Sequence, residues 1–165
     1  VQKVKALGSS EKNEITIAVY IKGMKEGDRL SALAGSIIMR EINKRRLLST
    51  KVSLASPVFT HINVSGVIMV KKHYEDCKNQ IRETIVQLTD YIKCGKGFGE
   101  PLMFEELYGK IQALSCVSYI ASLNMAPANY RYAAEAGSDI KPADNCLLMP
   151  GNIQLALNYE KEELN

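Results

Sequence analysis

An α+β fold of two small layered units is what this sequence predicts. Three observations carry it: five stretches of strict apolar alternation, three stretches of helical period, and an order of strands and helices without sustained alternation. The expected order is βαβ followed by βααββ. With 165 residues the chain can hold one core or two small ones, since single domains commonly run ~100 to 150 residues. Pro57 interrupts a strand ladder because it lacks an amide hydrogen. We place the boundary there, giving a first unit over 1–57 and a second over 58–165.

Glu14 to Ile21 alternates strictly, with Ile15, Ile17, Val19 and Ile21 on one face, which predicts a half-buried strand. After a turn over Lys22 to Gly27, Asp28 is the expected cap of a helix with an apolar stripe of Leu30, Leu33, Ala34, Ile37, Ile38 and Ile42. Arg40, Lys44 and Arg45 occupy its outer face. Thr50 to Ser56 alternates again, with Val52 and Leu54 inward. One helix flanked by a strand on each side buries little, so this unit is expected to be completed by residues upstream of Val1 or by a partner chain.

In the second unit Thr60 to Val70 sets Ile62, Val64, Ile68 and Val70 on one face, and a helix over about Tyr74 to Lys93 repeats Cys77, Ile81, Ile85, Leu88 and Ile92. The glycines from Gly95 to Gly99 are expected to end it, and Pro101 to open a shorter helix reaching about Leu114. Val117 to Met125 alternates through Tyr119, Ala121 and Leu123, and Asn152 to Tyr159 through Ile153, Leu155 and Leu157. Between them, the loop 126–151 holds Pro127, Pro142 and Pro150 and has little periodicity. Loops beyond ~12 to 15 residues tend to be functional or disordered.

Composition narrows the function classes. A net charge of +3, from 21 basic and 18 acidic residues, supplies no strong field for nucleic acid or anionic lipid. The run Lys44-Arg45-Arg46 with Lys51, Lys71 and Lys72 lacks interleaved aromatic residues, so no nucleic-acid partner is expected. No apolar stretch reaches the ~20 residues of a membrane span, and the opening residues are too polar for a secretory signal. The start at Val1 in place of Met predicts an excised fragment or a processed chain. Cys77, Cys94, Cys116 and Cys146 show no zinc-site spacing and are expected to be reduced thiols, mostly buried, in a reducing compartment.

No catalytic, cofactor-binding or metal site is expected. Gly95-Lys-Gly-Phe-Gly99 follows a helix and lacks the GxxxxGK pattern of a phosphate loop, so it is expected to be a helix-to-helix turn. His61 and His73 would lie ~40 Å apart along an extended strand, too far to share a metal. Ser115 and Cys116 sit in no nucleophile motif. Glu105, Glu106, Glu160, Glu162 and Glu163 have no surroundings that would raise a carboxyl pKa. Tyr130, Arg131 and Tyr132 differ, because Tyr and Arg are enriched at protein contact hot spots. They are the candidate partner contact.

Four stretches together carry a family resemblance: the strand-to-strand passage SLASPVFTHINVSGVIMV, the helix end DYIKCGKGFGEPL, the helix-to-strand step ELYGKIQALSCVSYIASL and the closing strand PGNIQLAL. From about Lys51 to Tyr159 the chain resembles the C-terminal part of the baseplate J family, wedge proteins of contractile phage tails and related injection particles. Ile15 to Leu48 is similar to that family's preceding α/β unit. Two features depart from the pattern: Cys116-Val117 stands where members often carry Gly-Val, and the loop 126–151 is long.

The resemblance implies a non-enzymatic structural subunit, oligomeric in the assembled particle, that joins copies of itself and other wedge proteins into a ring around the tail hub. It would sit in the tail baseplate of a virion or a prophage-derived injection particle assembled in the bacterial cytoplasm. The family offers no catalytic residues to carry over. The competing expectation is a small ligand-binding or enzymatic α+β domain with its site under the loop 126–151.

Overall fold

A computed structural model of the chain describes all residues except 10–12, 47, 73, 130–136 and 160–165. Its architecture is α+β, with two three-stranded sheets and three helices. Two compact units are resolved. The first comprises Val1–Phe59 with Gly97–Glu100 and Ala143–Leu147; the second comprises Thr60–Lys96, Pro101–Pro142 and Leu148–Asn165.

In the first unit, β1 (Lys3–Ser9) forms an antiparallel pair with β2 (Glu14–Tyr20), and β2 pairs in parallel with β3 (Lys51–Ala55) in the order β1-β2-β3. The strand β1 adds a member ahead of the expected βαβ. Its Lys3-Val4-Lys5-Ala6 alternation is short and half charged, a weak signal that the pairing to β2 rescues. The two parallel strands are joined through α1 (Ala32–Asn43). Ser31, not Asp28, caps α1: its hydroxyl accepts from the Ala34 amide at 3.2 Å, while the Asp28 carboxylate closes the preceding turn on the Lys25 amide at 2.7 Å.

The remaining segments of this unit are tied to β1. The Lys5 ammonium donates to the Phe98 carbonyl at 3.0 Å and pairs with Asp144 at 2.9 Å, and the Gly99 amide donates to the Cys146 carbonyl. Gly99 has φ +67, and a Cβ there would lie 2.9 Å from both Asp144 Cα and Lys5 Nζ, so this crossing needs glycine.

In the second unit the sheet runs β5-β4-β6, with β4 (Val58–Val70) central, β5 (Val117–Pro127) antiparallel to it, and β6 (Cys146–Tyr159) on its other side. The helices α2 (Cys77–Thr89) and α3 (Phe104–Gln112) supply the opposing layer. Ile62, Val64, Ile68 and Val70 of β4 are buried, as are Ile81 and Ile85 of α2, Leu107 and Ile111 of α3, and Leu123 and Met125 of β5. The positions in β4, α2 and β5 are among those the periodicity predicts, whereas Leu107 and Ile111 are not singled out by it.

Local chemistry moves several boundaries. The Asp90 carboxylate accepts from the amides of Ile92 and Lys93, a turn that stops α2 at Thr89 before the glycines are reached. Leu102 bridges to Ile140, so α3 starts only at Phe104, whose amide donates to the Asp139 carboxylate at 2.8 Å. Pro127 and Pro150 fall inside β5 and β6, so less of the segment 126–151 is loop than its prolines suggest. Along β5 the strict alternation fails: Val67 pairs with Ser122 but Ile68 pairs with Ile120, so Ala121 is an extra residue. That bulge inverts the side-chain phase, exposing Tyr119 and burying Ile120.

The cysteines correct the expectation of four free thiols. Cys77, at the start of α2, and Cys116, just ahead of β5, form a disulfide with Cα atoms 5.7 Å apart; Cys146 is free and buried, and Cys94 free and exposed. A separation of 39 residues hides this pairing from local spacing. The cysteine content therefore gives no argument for a reducing compartment.

Two outcomes test this packing. Thiol titration of the unfolded chain should find the two free thiols of Cys94 and Cys146 before reduction and all four cysteines after it. In the chain-entropy account a 39-residue closure contributes about 4 kcal/mol, so reduction should lower Tm by roughly 10 °C; an unchanged melt would contradict a stabilising bond. At Gly66, in central β4, an added Cβ would strike the Ser122 carbonyl and lie 3.2 Å from Leu123 Cα, both backbone atoms. Gly66→Ala should therefore lose about 1–3 kcal/mol in denaturant unfolding, whereas Gly35→Ala, in α1 with open space around it, should not destabilise.

Candidate interaction surface

Among the described residues, most of the candidate groups weighed from the sequence are engaged in local structure. Gly97 donates its amide to the Glu100 carboxylate at 2.7 Å within the turn, and Gly99 donates to the Cys146 carbonyl of the segment beside it, so both amides are engaged. Cys116 is consumed by the disulfide, and Ser115 is exposed beside it. Glu106 pairs with Lys96 at 2.6 Å, and Glu105 lies in the first turn of α3, where the helix dipole favours a carboxylate. His61 lies in β4, and its carbonyl accepts from Ala128. His73, Tyr130, Arg131, Tyr132, Glu160, Glu162 and Glu163 lie outside the described residues. Among the described residues no three His, Cys, Asp or Glu side chains gather as a metal site, and no helix is long and apolar enough to cross a membrane.

The basic run is largely engaged. Lys44 pairs with Glu41 at 2.7 Å, Lys51 with Glu14 at 2.9 Å, and the Arg46 guanidinium donates to the Thr50 carbonyl at 2.9 Å. A shallow cleft of about 570 Å3 runs along α2 past Arg82, Glu83, Asp90 and Lys93. Its charges alternate in sign, and Asp90 is held by its own turn and by Lys93 at 3.5 Å.

The feature that stands apart is apolar. In the first unit, register places Val4 opposite Val19, Ala6 opposite Ile17, and Ile15 opposite Val52, so one sheet face is continuously aliphatic. The stripe of α1 contributes Ile37, Ile38 and Ile42 to the same groove, which encloses about 840 Å3. Yet α1 has no buried residue: Leu33 is 72% exposed and Ile37 46%. An amphipathic helix normally buries its stripe, since burial rather than propensity supplies most of its stability. The periodicity of α1 was visible in sequence, but its lack of cover was not, because a stripe does not say how much surface will meet it.

No family model matches the sequence, and no curated protein matches it. Among solved structures, the chain is similar to one in the cryo-EM structure of the anti-feeding prophage baseplate, six-fold symmetrised, with a TM-score of 0.59 and 9% identity. The match covers 87% of this chain and 29% of that one, so the chain spans under a third of the protein it resembles. At this identity the likeness is one of fold, and the fold is that of a portion of a baseplate protein.

Proposed function

We propose that the chain is a structural piece of a baseplate wedge, of the baseplate J kind, in a contractile phage tail or related injection particle. The observation that carries this reading is the fold likeness to a baseplate chain over 87% of the sequence. The open aliphatic groove of the first unit supports it independently, because a helix without buried residues and a partly covered sheet face are what a subunit presents when neighbouring chains complete its packing.

In this reading the chain acts by contact and not by catalysis. Residues 1–57 and 58–165 serve as separate contact units, and Tyr130, Arg131 and Tyr132 supply a further partner contact. Its partners are other wedge proteins and copies of itself, arranged around the tail hub in the baseplate. Strain held at these interfaces before contraction would pass the attachment signal to the sheath as the interfaces rearrange.

Co-expression with the baseplate proteins encoded beside it should give a complex that survives size-exclusion chromatography. A chain that elutes as a monomer in the presence of every one of them would overturn the reading.

A further inference from the structure

We propose that the groove of the first unit is the docking site for an amphipathic helix of a partner polypeptide, with carboxylates at the end that lies beside Arg45. This rests on the assembly reading and adds the chemistry of one partner segment. Three features select this occupant.

First, the groove lies on the face of the β1-β2-β3 sheet, not along its edge. An extended segment laid there would bury amides and carbonyls with no ladder to join, whereas a helix satisfies its backbone internally. Apolar anchors at helical spacing then meet Val4, Ile15 and Ile17 on the sheet and Ile37 and Ile42 on α1.

Second, the mouth of the groove is cationic. Glu41 is already engaged by Lys44 at 2.7 Å and lies 3.9 Å from Arg40, while Arg46 donates to the Thr50 carbonyl. Arg45 lines the groove, is exposed, and has no side-chain partner among the described residues. A carboxylate is the group that complements it.

Third, the same charges reject a second copy. The exposed helix that a copy would offer is its own α1, which carries Arg40 in its last turn and Lys44, Arg45 and Arg46 directly after it. Seated in one direction, it sets cations against cations. Seated in the other, it brings up a helix N-terminus with no acidic residue in its first turn, again the positive end of a dipole.

The test uses the full chain and two synthetic helical peptides of about 14 residues, or four turns. Both carry leucines at i, i+3, i+4 and i+7; one has glutamates and the other lysines in its last turn. Fluorescence polarisation at low salt should show the glutamate peptide binding roughly fivefold tighter, and Arg45→Glu should reverse the order. Ile37→Asp should abolish binding of both peptides while lowering the thermal melt by only a few degrees, since Ile37 is 46% exposed. If that variant fails to fold, Val4→Asp, at a lining residue 58% exposed, replaces it.

Equal affinity for the two peptides, or none for either, overturns the proposal. So does a concentration-dependent dimer of the chain that Ile37→Asp dissolves, which would make a second copy the occupant. Should the wild-type chain enter a complex with baseplate proteins and Ile37→Asp enter it equally well, the groove proposal fails while the assembly reading stands. A wild-type chain that enters no such complex sinks the assembly reading, whatever the peptides do.

Discussion

An amphipathic sheet or helix has to cover its apolar face, and how completely each unit does so determines what each is suited for. In the second unit the requirement is met internally. The inward residues of β4 and β5 are buried, as are Ile81 and Ile85 of α2 and Leu107 and Ile111 of α3, and α3 packs against both β5 and α2. The disulfide between Cys77 and Cys116 ties the start of α2 to the entry of β5. In the first unit the same requirement is met on only part of the surface, because α1 lies over the sheet without burying any of its own residues.

This difference leaves the first unit with an open aliphatic groove. A face that stays aliphatic and open costs solubility unless something else comes to cover it, so its persistence points to association. The cationic mouth gives that association a direction. Arg45 and its neighbours do not add much binding energy at an exposed site, but they discriminate between partners and disfavour self-docking. The fold likeness to a chain of a baseplate structure and the open groove of the first unit are separate observations, one of backbone arrangement and the other of packing.

The turns show how few polar groups are needed to position these layers. Asp90 ends α2 by holding two amides, Asp139 caps α3 from 35 residues away, and Lys5 joins β1 to Phe98 and Asp144. Glycine is required where the backbones come closest. Gly151 is one such place, since a Cβ there would meet Asn63 Oδ1 at 2.6 Å and the Ile62 carbonyl at 2.7 Å.

What the residues determined by themselves was the local periodicity. The inward set of β4, the stripe of α2 and the alternation of Ile153, Leu155 and Leu157 in β6 follow from side-chain repeats of two and 3.6, which any chain segment carries within itself. Only tertiary structure decided the features that join distant positions. The strand β1 exists because β2 pairs with it, the phase of β5 flips because β4 forces Ala121 into a bulge, and Cys77 finds Cys116 across 39 residues. The exposure of α1 belongs to the same class. Periodicity says which side of a helix is apolar, but the surface available to cover that side depends on elements elsewhere in the chain or in a partner.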